Sequence, residues 1–162
     1  MTEPSLVRWP AGCEPEGAPI HTYNELDVAA PPERVWAWLV RATAWPSYYD
    51  NASNVRFADG GGPDLRLGTR FTWRTFNVSV DTTVTELVPN ERLAWRGKTL
   101  GGTGHHGWVI VPTPSGCRVV TEETQRGVVP SLLRWYLRRG LLTQHQRWLE
   151  GLARVAPGGT PN

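Results

Sequence analysis

The sequence predicts an α+β domain in which a curved antiparallel sheet of six to seven strands wraps around one long C-terminal helix. Three observations carry this expectation. From Thr69 to Gln125 apolar and polar residues alternate with period two, interrupted only at turn residues. From Pro130 to Val155 the period becomes helical, with Leu133, Leu137, Leu141, Trp148, Leu152 and Val155 on one stripe. The strands follow one another without the long crossovers that parallel pairing needs. The domain occupies residues 20–156, after an irregular extension over 1–19 and before a frayed tail over 157–162.

The elements follow in order. The extension carries Pro4, Pro10, Gly12, Pro15, Gly17 and Pro19 and lies across the body through Leu6, Val7 and Trp9. His21 to Val28 is the first strand. Pro31 and Pro32 open a helix, where a missing N–H costs nothing, and Val35, Trp36, Leu39 and Val40 recur at helical spacing. TAWPSYYDN is a second short helix or turn. NVRFADGGGPDLRLG is a strand, a glycine-rich loop and a strand start. Four strands then follow as TRFTWRTFN, VSVDTTVTELV, ERLAWRGK and TGHHGWVIVP, with turns at Pro89-Asn90 and Gly101-Gly102. TPSG turns into CRVVTEETQ. Pro130 opens the last helix, and Gly140 marks a kink or short break in it.

Composition excludes several classes. A chain of 162 residues buries roughly 70% of its unfolded surface without help from disulfides. Arg supplies all but one of the seventeen basic residues, yet the net charge is only +2, which leaves no nucleic-acid footprint. No run approaches the ~18 apolar residues of a membrane span. The N-terminus shows no basic start followed by an apolar stretch, and Cys13 and Cys117 lack metal spacing. A cytoplasmic protein with free thiols, monomeric or homodimeric, is expected. Nine Trp are too many for a plain core, since each buried indole removes roughly 150–250 Å² from water, so some must line a cavity.

A strongly curved sheet cannot touch a straight helix along its whole length, so a space remains between them. Strand parity lines that space with Phe71, Trp73, Thr75, Thr82, Val84, Glu86, Leu93, Trp95, His106, Trp108, Val119, Thr121 and Glu123. Tyr48 and Tyr49 stand at its entrance, and Leu137, Leu141 and His145 come from the helix. Trp73, Trp95 and Trp108 on successive strands suit a flat, aromatic or polyketide-like ligand. Glu123, His106 and Glu86 are the candidates for acid/base chemistry: desolvation in an apolar pocket raises a carboxyl's pKa toward neutrality, and a histidine already titrates near there. Each also has a plainer reading, as an ion-pair partner or a hydrogen-bonded structural histidine. A β-bulge would turn residues beyond it to the other face. No metal ligand set and no cofactor motif are expected: His105 and His106 point to opposite faces, and no third ligand falls at suitable spacing.

Several segments, in this order, carry a resemblance: ELDVAAPPERVWAWLV, WPSYY, GTRFTWRTF, VTELVPNERLAW, GCRVVTEE and QRWLEGLARV. Over residues 20–155 the chain resembles the START-related SRPBCC superfamily, and within it the polyketide cyclase/dehydrase and lipid-transport group. The resemblance implies the helix-grip fold and an apolar small-molecule ligand. Cyclases, dehydratases and non-catalytic lipid or quinone carriers share that scaffold, so catalyst and carrier both stay open.

Overall fold

The computed structural model describes residues 5–162. The strands are β1 (Ile20–Val28), β2 (Ser53–Phe57), β3 (Arg70–Thr75), β4 (Val78–Val88), β5 (Arg92–Thr99), β6 (Gly102–Thr113) and β7 (Gly116–Arg126). They form one antiparallel sheet in the order β1-β7-β6-β5-β4-β3-β2. Consecutive hairpins build six of the strands, and β1 closes the far edge by pairing with β7. Helix α1 (Pro32–Val40) and a 3₁₀ segment (Ala42–Ser47) carry the chain from β1 to β2 across one end of the sheet. Helix α2 (Val128–Leu132) is a single turn, and α3 (Arg134–Val155) lies across the concave face. This is the helix-grip arrangement.

Three local expectations need correction. The long helix breaks at Leu133, whose backbone leaves the helical range (φ −107°, ψ 19°), and not at Gly140. Gly140 stays helical, at the modest cost glycine carries in a helix. A Cβ there would lie 3.3 Å from the Phe76 ring at the β3–β4 turn, so the glycine admits that turn. Residues 157–162 are held against α1: Trp38 donates its indole N–H to the Gly159 carbonyl (2.8 Å) and Arg34 donates to the Pro157 carbonyl (2.9 Å).

The third correction concerns β4. Val84 pairs with Trp95, but Glu86 pairs with Ala94, so one extra residue is accommodated between them. Beyond this bulge the facing reverses. Leu87 turns to the core opposite Leu93, and Glu86 turns to the outer face, where it accepts a hydrogen bond from Arg8 at 3.1 Å. Glu86 therefore does not face the interior.

Residues 5–19 of the N-terminal extension strap the outer face of the sheet, and Pro4 lies outside the described residues. Val7 packs on Val109 and Val120. Ser5 donates to Glu122 Oε1 (2.6 Å), and the Glu122 Oε2 lies 2.8 Å from the His21 ring. Further along, Arg126 donates to the carbonyls of Glu14, Glu16 and Gly17. Gly107 admits the strap, because a Cβ there would stand 2.5 Å from Val7 Cγ1. The short, stiff Val7 side chain cannot swing away, so Gly107→Val should lift the strap. Such overpacking costs about 1–3 kcal/mol. Limited proteolysis should then cut within residues 5–19 of the variant while the rest of the chain stays intact. Unchanged protection of that segment would contradict the packing.

Candidate functional site

Register builds the site. Trp95 of β5 lies opposite His106 of β6, His106 opposite Glu123 of β7, and Glu123 opposite Thr22 of β1, all facing inward. The next inward row is Gly97 opposite Gly104, and Gly104 opposite Gln125. Two adjacent strands thus contribute no side chain there, and the sheet face falls away from α3. The result is a hollow of about 750 Å³. Its rim carries exposed apolar side chains, among them Phe76, Val78, Leu100, Val129 and Tyr136.

The other half of the interior is solid. Trp45 from the 3₁₀ segment sits among Trp73, Trp95 and Trp148, with ring centroids 5.0–5.4 Å apart. Trp108 closes on Trp148 at 5.0 Å. The close approach of α3 to the segment after the 3₁₀ turn depends on Gly151, where a Cβ would stand 2.3 Å from the Tyr48 carbonyl oxygen. That approach stacks Tyr49 on Trp148 at 4.4 Å.

The structure therefore divides the expected lining in two. Tyr49, Trp73, Thr75, Trp95, Leu137 and Leu141 border the hollow, as do His106, Glu123 and His145. Phe71, Thr82, Val84, Trp108, Thr121 and Tyr48 do not, and are buried in the packed half. The reason is depth. Parity gives the face a residue points to, but the indole of Trp45 fills the end of the sheet nearest α1. Trp148, from the apolar stripe of α3, also borders the hollow, and Asn51 and Gln125 join it there. Asn51 donates to Tyr49 Oη (2.9 Å) and Thr75 Oγ1 (3.0 Å), tying the 3₁₀ segment to the β3–β4 turn. The inward glycines are the sequence signal that locates the hollow.

At the floor of the hollow three titratable groups meet. His145 of α3 places Nε2 at 3.0 Å from Glu123 Oε2, and His106 Nδ1 lies 3.4 Å from the same oxygen. Gln125 donates to Glu123 Oε1 at 2.7 Å. His106 Nε2 is 2.7 Å from Thr121 Oγ1, whose hydroxyl donates to the Gly107 carbonyl. Burial, reinforced by the neighbouring His145, depresses the His106 imidazole to about 3. For Glu123, burial pushes the carboxyl up. The hydrogen bond from His145, the charge interactions with both histidines and the bond from Gln125 outweigh it and hold the group at about 2, so the rise expected from desolvation alone is reversed by the partners the fold brings to it. At neutral pH the site thus pairs an ionised carboxylate with a neutral His106. Donor atoms of His106, Glu123 and His145 all lie within 4.8 Å of one another, a spacing that could hold a metal ion. The expectation of no ligand set rested on sequence spacing, and the third group comes from a different element.

The family model described as polyketide cyclase/dehydrase and lipid transport matches residues 19–157. A hypothetical protein of Helicobacter pylori, jhp0584, is similar in structure, with a TM-score of 0.87 at 28% identity, covering 96% of this chain and 99% of that one. The ZhuI aromatase/cyclase of Streptomyces sp. R1128 superposes with a TM-score of 0.72 at 14% identity, covering 85% and 93% of the two chains. The di-domain aromatase/cyclase StfQ of the steffimycin pathway gives 0.72 at 16% identity, over 86% of this chain and 51% of that one. At these low identities the two cyclases share the fold. No curated protein matches the sequence. Among the described residues no helix is long and apolar enough to cross a membrane.

Proposed function

The chain belongs to the polyketide cyclase/dehydrase and lipid transport family, and from that premise we propose that it binds a flat, largely apolar, polyketide-like or aromatic molecule and promotes its cyclisation or dehydration. The observation that carries this reading is the hollow itself. It has indole walls at Trp73, Trp95 and Trp148, an apolar rim, and one concentrated polar spot at His106, Glu123 and His145. Rings stack on the indoles, and the carbonyl-bearing part of the ligand reaches the polar spot. There the site takes a proton from a methylene between two carbonyls, the carbanion closes on a further carbonyl and the alkoxide takes that proton back; loss of the remaining hydrogen on the former methylene carbon then expels the hydroxyl, protonated, as water and leaves a C=C bond. A positioned acid/base of this kind contributes roughly 10²–10⁴-fold. Holding the chain folded and dry contributes as well.

A carrier without chemistry is the second reading, and the exposed apolar rim favours it. One experiment separates the two. Tryptophan fluorescence is titrated with aromatic polyketides, quinones and fatty acids, and a linear poly-β-keto thioester is then incubated with the protein. Saturable quenching by polycyclic aromatics together with ring closure above the buffer rate is expected. Quenching without conversion leaves the carrier, and no quenching by any member of the panel removes both.

A further inference from the structure

We propose that His106, Glu123 and His145 form a binding site for a divalent transition-metal ion of the zinc type, with its open coordination positions facing the hollow. The inference deepens the site proposed above and uses the same three side chains, but it does not depend on which organic ligand the hollow takes.

The donor set comes first. Nδ1 of His106 and Nε2 of His145 approach one carboxylate oxygen at 3.4 and 3.0 Å. Ligands held about 2.0–2.1 Å from a tetrahedral zinc stand roughly 3.3 Å apart, so each histidine lies at a fitting distance from the carboxylate oxygen, and all three donor atoms lie within 4.8 Å of one another. Two imidazoles and a carboxylate suit zinc and its first-row neighbours, whereas calcium and magnesium call for oxygen cages. Three protein ligands with a position left open are the pattern of zinc sites that do chemistry.

The outer contacts point the same way. Thr121 gives its hydroxyl hydrogen to the Gly107 carbonyl (3.2 Å), so its oxygen accepts from His106 Nε2–H (2.7 Å). That assigns the ring hydrogen to Nε2 and leaves Nδ1 bare toward the carboxylate. On the other imidazole, Thr22 Oγ1 lies 3.4 Å from His145 Nδ1 with its hydroxyl directed to the Glu123 carbonyl at 3.5 Å, so it can take the ring hydrogen of His145 when Nε2 binds an ion. Gln125 holds the carboxylate oxygen that the ion would not use. Every ligand thus has its spare polar atom fixed by a partner, as metal-binding histidines and carboxylates do. An ion there would polarise a ligand carbonyl or acidify a bound water, placing the proton acceptor where the proposed reaction needs it.

The test uses the full chain, stripped with a chelator and titrated calorimetrically with zinc, and with cobalt(II) for its visible absorption. One ion per chain is expected, with the cobalt spectrum of a four- or five-coordinate site. Glu123→Gln and His145→Ala should each weaken uptake at least about 100-fold, and Thr121→Val, which keeps all three ligands, about 10–100-fold. His105→Ala, on the opposite face of the same strand, should leave it unchanged. Circular dichroism checks that each variant is folded. Absence of saturable uptake by the wild type, or uptake that survives Glu123→Gln in a folded protein, overturns the site. The fluorescence titration run on the stripped protein keeps the two ideas apart. Quenching without metal uptake sinks the ion and spares the ligand reading, and metal uptake without quenching does the reverse.

Discussion

Trp148→Ala should unfold at a temperature roughly 10 °C below the wild type, corresponding to a loss of about 3–5 kcal/mol. The indole is 1% exposed and sits at the centre of the aromatic cluster. It meets Trp45 and Trp108 at 5.0 Å, Trp73 at 5.7 Å, Trp95 at 6.1 Å, and stacks on Tyr49. Truncation removes the transfer energy of the ring and leaves a void that rigid neighbouring indoles cannot close. The void would open into the hollow, so α3 would lose its aromatic contact with β3, β5 and β6. Against a total stability of roughly 5–15 kcal/mol this is a large fraction. Trp135→Ala is the matched control. That indole is 77% exposed, and its loss should change stability by no more than about 0.5 kcal/mol. Denaturant unfolding of both variants measures the contrast, and a Trp148→Ala cost under about 1 kcal/mol would show that the aromatic cluster is not the core.

The same cluster shows which part of the structure was legible in the sequence. Period-two alternation and the helical stripe reflect which residues meet water, so sheet, helix and their order follow from pattern alone. Facing follows too, as far as the pleat is regular. His106 points inward and His105 outward because they are neighbours on one strand. What pattern lacks is depth and register. Phe71 and Trp73 share a face, yet one is sealed behind Trp45 and the other borders the hollow. The bulge between Val84 and Glu86 turns on one extra residue with no turn signature, and it moves Glu86 from the interior to Arg8 on the outer face. His145 was legible as a helix contribution to the pocket. Its meeting with His106 and Glu123 was not, because that needs the β6–β7 pairing and the rotation of α3 together. Gly97 and Gly104 were visible, and their inward parity, rather than their freedom in turns, locates the hollow.

Glu123→Gln should lower the rate of ring closure by roughly 10²–10⁴-fold while the ligand still quenches tryptophan fluorescence with an affinity within a few-fold of wild type. The substitution keeps shape and volume, so the binding walls at Trp73 and Trp95 are untouched. It also has partners ready. Gln125 can still donate to the amide oxygen, where it now meets Glu123 Oε1. The new amide nitrogen faces the bare Nδ1 of His106, and His145 can shift its own proton toward Thr22 and accept the second amide hydrogen. No buried polar atom is left stranded, and stability should move by no more than about 1 kcal/mol. What disappears is the negative charge, which is the reason the site can accept a proton or bind a cation. Glu122→Gln is the control, one residue away on the outer face beneath Ser5, and should leave the rate unchanged. Single-turnover kinetics report the chemical step directly. A Glu123→Gln rate within a few-fold of wild type, with binding retained, would move the chemistry away from this carboxylate and leave the hollow as a binding site alone.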